Sequence, residues 1–157
     1  MTCDVRPATA QDIGAVLPAL SPRMVQELPL LFPDLTDPMR RRVIVRQALD
    51  AIAKARASTF LAGTGPVCVL VWAPEGARWS IMTLATERFY ASDFLRLSRR
   101  HLGMLQARLG AELVAHTRSD HPRAVPWLRF LGFHPDPSVA EPGQTSPYVR
   151  PWSPEAS

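Results

Sequence analysis

Residues 79–133 place a strand-like run, a long amphipathic segment, a second strand-like run and a shorter helical segment in succession, and this order constrains the fold most. The long segment, residues 93–109, puts Phe94, Leu102 and Leu105 on one helical face. Gly110 follows it as a typical helix stop. The next strand is predicted at residues 112–117. Alternation of strands and helices predicts a mixed α/β domain.

Three helices are predicted in the N-terminal part of the chain. Each begins at a residue pair that suits a helix start: Thr9 with Asp12, then Ser21-Pro22, then Asp37-Pro38. Their predicted extents are residues 9–20 with an interruption at Pro18, residues 21–28 ending before Pro29, and residues 37–56. A short extended segment at residues 5–8 precedes them.

Short turns separate three strand-like runs at residues 58–62, 67–73 and 79–86, which predicts an antiparallel meander. A last helix is predicted at residues 121–131, ended by Gly132-Phe133. Residues 134–147 are predicted to be a proline-rich loop, and residues 148–152 an edge strand. We therefore expect one domain over residues 1–152 and a disordered tail over residues 153–157.

Composition narrows the class of protein. With 46% hydrophobic and 20% charged residues, the chain suits a soluble globular domain. Its apolar runs are shorter than the ~20 residues of a membrane-spanning helix, and no secretory signal pattern opens the chain. Two cysteines predict free thiols without a structural zinc site. The net charge of +4 reflects arginine, since Lys54 is the sole lysine, and this excess suits either an anionic partner or a GC-rich genome.

Ala124, Trp127, Gly132 and Phe133 match the pattern A-x-x-aromatic-x-x-x-x-G-F. With this pattern the chain resembles the Gcn5-related N-acetyltransferase (GNAT) superfamily. The resemblance implies a single-domain α/β fold, with a mixed, mostly antiparallel sheet, helices on both faces, and acetyl-CoA as cofactor.

A narrower resemblance covers residues 79–133, about a third of the chain. The matching positions are Trp79, Leu84, Thr86, Glu87, Phe94, Arg96, Ser98, Arg99, Arg100, Leu102, Leu105, Ala124, Trp127, Leu128, Leu131, Gly132 and Phe133. On them the chain resembles the acetyltransferase-like internal virion proteins of short-tailed phages. This implies location in the host cytoplasm or the virion, and other virion proteins or packaged DNA as partners.

Two features expected of a catalytic member of the superfamily are missing. The cofactor loop [RQ]-x-x-G-x-[GA] brings backbone amides to a pyrophosphate, but residues 87–93 contain no glycine. Asp93 is expected to cap the helix that follows and to repel an anion. Leu128 stands where the resemblance implies a tyrosine acid. Ser92 and His121 remain as candidate cofactor contacts.

Other residues are candidates for a general base, a metal site or contact with a partner, on weaker sequence patterns. Glu87, Glu112 and His116 are candidate general bases on or beside the sheet. His116, Asp120, His121 and His134 have no spacing diagnostic of a metal site, so no metal is expected. Two arginine clusters are candidate contacts for nucleic acid or a protein partner: Arg40, Arg41 and Arg42, and Arg96, Arg99 and Arg100.

Three functions follow from these patterns. The leading hypothesis is a catalytically degenerate, acetyltransferase-like phage protein associated with the virion. The alternative is an active acetyl-CoA-dependent N-acetyltransferase with a divergent cofactor loop. A nucleic-acid or protein-binding module is the third, so enzyme activity stays open at the level of sequence.

Overall fold

The computed structural model describes residues 2–117, 121–138 and 146–154, and within them one seven-stranded sheet carries helices on both faces. The strands are β1 (Asp4–Pro7), β2 (Ala57–Ala62), β3 (Gly65–Glu75), β4 (Arg78–Ala85), β5 (Leu113–Thr117), β6 (His134–Pro135) and β7 (Ser146–Arg150). The helices are α1 (Ala10–Val16), α2 (Pro22–Leu31), α3 (Asp37–Ala53), α4 (Ser92–Leu109) and α5 (Ala124–Phe130).

The sheet has the order β1-β2-β3-β4-β5-β7-β6. All neighbouring strands are antiparallel except β4 and β5, which pair in parallel. The predicted meander is β2, β3 and β4, joined by tight turns. The parallel pair needs a crossover connection, and α4 supplies it. The mixed, mostly antiparallel sheet predicted from the sequence is confirmed.

Two hydrophobic cores lie on opposite sides of the sheet. One includes Phe94, Leu102 and Leu105 of α4, with Leu128 of α5. The other contains residues of α1 and α3, among them Val16 and Ile44. Strand residues alternate between these cores, as side chains on successive strand positions point to opposite faces. α4 and α3 therefore expose their outer surfaces on opposite sides of the molecule.

Residues 148–152 are not an edge strand. Residues 146–150 form β7, which pairs with β5 on one side and β6 on the other. The predicted proline-rich loop is therefore wrong at its start, because the turn after Gly132 sends His134 and Pro135 back along β7 as β6. Residues 139–145 of that loop and residues 155–157 of the predicted tail lie outside the described residues.

Helix boundaries differ from prediction at several places, and α3 ends at Ala53 instead of residue 56. α2 passes through Pro29 to Leu31, so the predicted end before Pro29 is wrong. α5 begins at Ala124, since residues 122–123 form a turn. α4 begins at Ser92 after Ala91, so Asp93 is not its N-cap residue. The interruption of the first helix at Pro18 and the stop at Gly110 are confirmed.

Candidate functional site

The parallel pair β4 and β5 opens into a wedge at the carboxyl ends of the two strands. Their pairing runs only from Trp79 opposite Leu113 to Ile81 opposite Ala115. Beyond that point β4 continues to Ala85 beside β3, while β5 continues to Thr117 beside β7. The two strands thus follow different neighbours and separate from each other.

A cavity of ≈ 160 Å³ occupies this wedge. Its walls come from α2, β4, β5 and α5, with a contribution from Ile44 of α3. Much of the lining is apolar, including Leu28, Met82 and Leu128. Residues of both hydrophobic cores reach it, so the cavity passes between the two faces of the sheet.

Three polar side chains of the wall stand close together near the mouth of the wedge. Arg23 and Glu27 lie one helical turn apart on α2, and both line the cavity. The hydroxyl of Thr117, at the carboxyl end of β5, donates a hydrogen bond to Oε1 of Glu27 over 3.0 Å. This bond fixes the carboxylate of Glu27 at the end of β5, within reach of a ligand in the cavity.

Tyr90 contributes the second acid-base group of the cavity. It ends the 3-10 turn Glu87–Tyr90, and its ring packs edge-on against Trp127 with ring centroids 5.5 Å apart. Burial raises the pKa of Tyr90 to about 12, although a hydrogen bond to Ser21 and the charge of Arg23 oppose the shift. The hydroxyl therefore stays protonated at neutral pH and is able to donate a proton.

Two buried nitrogen atoms beside the cavity have no hydrogen-bond partner in the part of the chain that the structure describes. The guanidinium of Arg23 lies 4.1 Å from the centre of the Tyr90 ring, and its side chain is 10% exposed. Nε of Arg23 and Nε1 of Trp127 have no hydrogen-bond partner among the described residues. Buried donors without partners are costly. Both residues line the cavity, so a polar ligand between α2 and α5 has donors available.

The three candidate bases from the sequence occupy different places. Glu87 is exposed in the 3-10 turn and lies 3.7 Å from Arg23, outside the cavity wall. Glu112 precedes β5 at the paired end of the strands, away from the wedge, and lies 3.6 Å from Arg78. His116 lines the cavity, with its Nε2 2.9 Å from Glu75. Only His116 of the three is therefore at the candidate site.

At the start of α4, the carboxylate of Asp93 forms an ion pair. Arg88 binds both oxygens of Asp93 at 2.9 and 2.7 Å, and the thiol of Cys3 lies 3.1 Å from Oδ2. These contacts, with Arg88 the largest, hold the pKa of Asp93 well below its usual range. Asp93 is charged and paired with Arg88, and the prediction that it repels an anion stays a prediction.

The candidate cofactor contacts are partly occupied. Ser92 is the exposed first residue of α4. Nδ1 of His121 accepts a hydrogen bond from the amide of Arg123 over 3.1 Å. Asp120 lies outside the described residues. Among those that are described, no group of three His, Cys, Asp or Glu side chains is arranged to hold a metal ion.

The two arginine clusters lie on opposite sides of the sheet. Arg40 donates to the carbonyl of Phe32 over 2.9 Å and pairs with Asp37, so its guanidinium joins the end of α2 to α3. Arg41 is exposed on α3, whereas Arg96, Arg99 and Arg100 are exposed on α4.

Over the described residues, no helix combines the length and apolar character needed to cross a membrane.

Sequence reasoning missed Arg23, Glu27 and Tyr90. The spacing of Arg23 and Glu27, four residues apart on a predicted helix, was the one available signal. Tyr90 lies 63 positions after Glu27 in the chain, and only the sheet order brings them to one cavity.

Solved structures of other proteins share the architecture of this chain. No family model matches the sequence, and no curated protein matches it. Solved structures do match: PaiA N-acetyltransferase from Thermoplasma acidophilum in complex with coenzyme A has a TM-score of 0.72 at 7% identity, covering 97% of this chain and 100% of that one. The GNAT domain of S. lividans PAT has a TM-score of 0.67 at 12% identity, covering 95% and 90%.

A third match is a GNAT superfamily phosphinothricin acetyltransferase from Sinorhizobium meliloti in complex with AcCoA, with a TM-score of 0.62 at 15% identity, covering 98% and 90%. Identities this low show the fold alone. The chain has the GNAT fold, as the pattern at Ala124, Trp127, Gly132 and Phe133 predicted. The narrower resemblance to internal virion proteins of phages has no support from these matches and stays a prediction.

Proposed function

We propose that this protein is an acetyl-CoA-dependent N-acyltransferase. The observation that carries the proposal is the wedge between β4 and β5 with its ≈ 160 Å³ cavity. A scaffold without a ligand gains nothing from a gap in its sheet, because unfilled space forfeits packing energy. Tyr90 and Glu27 supply an acid and a base on the wall of that gap.

The cavity suits the acyl end of the cofactor, being narrow and largely apolar with a few polar groups at its mouth. Acetyl-CoA supplies an activated acyl thioester when bound. Arg88 lies beside the start of α4, where the glycine loop of the resemblance offers backbone amides, and its charge reaches a phosphate when its pair with Asp93 opens. We infer that Arg88 and the first turn of α4 hold the phosphates.

Glu27 is the proposed general base, and Tyr90 the proposed general acid. The carboxylate of Glu27 accepts a proton from an acceptor amine at the carboxyl end of β5, as the amine nitrogen forms a bond to the acyl carbon of the thioester. Tyr90 donates its phenolic proton to the leaving sulfur, which takes the electron pair of the broken carbon–sulfur bond. The hydroxyl is available for this across the neutral range, because its pKa is about 12.

Thermal unfolding with and without acetyl-CoA tests the proposal. A ligand at ~100 times its dissociation constant stabilises the folded state by about 2.7 kcal/mol, so a rise of several degrees in Tm is expected at sub-millimolar acetyl-CoA. Ala124→Leu, which adds bulk to the cavity wall, is expected to abolish the rise. Val125→Leu, on the neighbouring position outside the lining, is expected to keep it.

A second candidate is a non-catalytic protein of this fold, of the virion-associated kind. The observation that favours it is the first turn of α4, where Asp93 already occupies Arg88 and accepts a hydrogen bond from the amide of Phe94. No rise in Tm with acetyl-CoA for the unmodified protein would favour this candidate over the enzyme. Finding the protein in purified phage particles is the direct test of the virion role.

A further inference from the structure

The outer face of α4 carries a basic groove that the proposed acyl transfer does not use. It is lined by Arg96, Arg99, Arg100 and Gly103 of α4, by Phe130 of α5 and by Arg150 of β7, and we call it the arginine groove. Its volume is ≈ 550 Å³, and it is open to solvent. None of its lining residues contributes to the cavity between β4 and β5.

The positive charge of the groove is not compensated within the described part of the chain. Arg6, Arg40, Arg78 and Arg88 each pair with an aspartate at 2.7 Å or less. Arg96, Arg99 and Arg100, by contrast, form no ion pair with any described carboxylate. Like charges three and four residues apart on a helix repel each other. A bound anion relieves that repulsion.

Arg150 is held in place at the floor of the groove. Its Nε donates to the carbonyl of Leu131 over 2.8 Å, and its guanidinium also donates to the side chain of Gln106. Burial foremost, and then the nearby charge of Arg99, lower the pKa of Arg150. Gly132 makes room for this side chain, since a Cβ there would lie 3.1 Å from Nε. The floor is thus a pre-positioned guanidinium.

The chemistry of the groove suits a chain of phosphates. Arg96 and Arg100 are about 6 Å apart along the helix axis, which is more than the ~3.4 Å rise between phosphates of one DNA strand, so the two side chains are able to contact different phosphates. Guanidinium groups bind phosphate oxygens in a bidentate manner. Arg99 also lies over the exposed ring of Phe130, 5.4 Å from its centre, which holds its guanidinium at the rim. We propose that the arginine groove binds the phosphate backbone of nucleic acid, without sequence preference.

Fluorescence anisotropy with a labelled 20-base-pair DNA of mixed sequence, over a series of salt concentrations, tests this proposal. The logarithm of affinity is expected to fall linearly with the logarithm of salt concentration, by about 0.9 per phosphate contact. Arg99→Gln/Arg100→Gln is expected to reduce the magnitude of that slope by about 1.8 and to weaken binding at least roughly 10-fold at low salt.

Arg41→Gln/Arg42→Gln is the matched control, because it removes the same charge from exposed positions of α3 on the other side of the sheet. It is expected to leave the slope unchanged. Equal losses in both double variants, a slope near zero for the unmodified protein, or displacement of the DNA by poly-L-glutamate more readily than by unlabelled DNA would each overturn the proposal. Arg96→Gln repeats the test at a single site if the α4 double variant fails to fold.

Discussion

At the scale of single residues, the acid and base proposed for the cavity are the most direct points of test. Glu27→Gln removes the proposed base and Tyr90→Phe removes the proposed acid. Each new side chain has nearly the shape of the one that it replaces, so we expect the fold to be kept. Because general acid–base catalysis contributes about 10²- to 10⁴-fold, we expect each change to lower the rate at least roughly 100-fold. The measurement is thiol release from acetyl-CoA with a mixture of free amino acids and alkylamines as acceptors.

The chain contains a matched control for each of these changes. Glu112→Gln alters a glutamate at the paired end of the strands, and Tyr148→Phe alters the other tyrosine, outside the cavity lining. Both are expected to keep the rate of the unmodified protein. If Glu112→Gln lowers the rate as much as Glu27→Gln does, the role given to Glu27 is wrong. Binding of acetyl-CoA is expected to persist in all four variants.

Asp12 is the residue on which we expect stability in acid to depend. Its buried carboxylate accepts hydrogen bonds from Arg6 at 2.7 and 2.8 Å, from the amide of Thr9 at 2.9 Å and from the hydroxyl of Thr59 at 2.7 Å. Arg6 foremost, then the other two donors, hold the pKa of Asp12 well below its usual range, against the effect of burial.

A lowered pKa in the folded state stabilises the protein above the pKa of the unfolded chain, about 3.9. Asp12→Asn is therefore expected to lower the free energy of unfolding by about 2 kcal/mol at neutral pH. The gap to the unmodified protein should shrink as the pH falls below about 4, because the Asp12 carboxyl of the unfolded chain then takes up a proton while the folded protein keeps it charged. Urea unfolding at several pH values measures both effects.

The exposed pair of Asp50 and Lys54 provides the comparison for Asp12. Their side chains are 62% and 53% exposed, and they lie 3.1 Å apart. Exposed pairs contribute little because water screens them, so Asp50→Asn is expected to change stability by less than about 0.5 kcal/mol. A loss at Asp50 as large as that at Asp12 would contradict the importance given to burial.

At the scale of elements, the turn after α5 connects the helix to the floor of the arginine groove. Gly132 has a φ of +95°, which favours glycine, and a Cβ there would also press on Arg150. Gly132→Ala is expected to destabilise the protein by about 2 kcal/mol. Urea unfolding midpoints measure the change.

Gly14 is the matched glycine for this comparison. It lies inside α1, and a Cβ there would meet nothing within 4 Å. Gly14→Ala is expected to stabilise the protein by up to about 1 kcal/mol, because alanine has the higher helix propensity. Opposite signs for the two substitutions are the expected result, and equal signs would contradict the packing described for Gly132.

At the scale of the whole molecule, the wedge follows from the order of the strands. β1 to β4 form one antiparallel group, and β5, β7 and β6 form another. A parallel ladder of three residue pairs joins the two groups. Because each group keeps its own pairing beyond Ile81, the sheet divides at the carboxyl ends of β4 and β5. The cavity is thus a property of the topology rather than of any local motif.

The same topology separates the two proposed activities. The cavity lies between α2 and α5 at the wedge, while the arginine groove lies along the outer side of α4. α4 connects the two sites, with its first turn near Arg88 and its middle turns carrying Arg96, Arg99 and Arg100. Independent loss of acetyl-CoA binding and of DNA binding in the variants described above is therefore expected.

The amino-acid sequence by itself determined the order of the elements from β1 to α5, the meander and the positions where α1 is interrupted and α4 ends. These depend on short-range physics: cap residues, proline, a glycine at positive φ and the period of apolar residues act over a few positions. The pattern from Ala124 to Phe133 indicated the GNAT fold, because it resembles the pattern of that superfamily. Cap residues, turn residues and apolar periodicity all indicate the same elements here, and such agreement specifies one fold.

Only the tertiary structure decided the candidate site. β7 lies inside the sheet because long-range pairing with β5 and β6 overrides the edge-strand preference of its proline-containing sequence. Glu27 meets Thr117, 90 positions away, and Arg150 is brought beside Arg99 and Gly132. Such contacts depend on strand order and side-chain packing, for which neighbouring residues carry no signal. Local sequence therefore specified the elements, and the pairing of distant strands created the cavity and the groove.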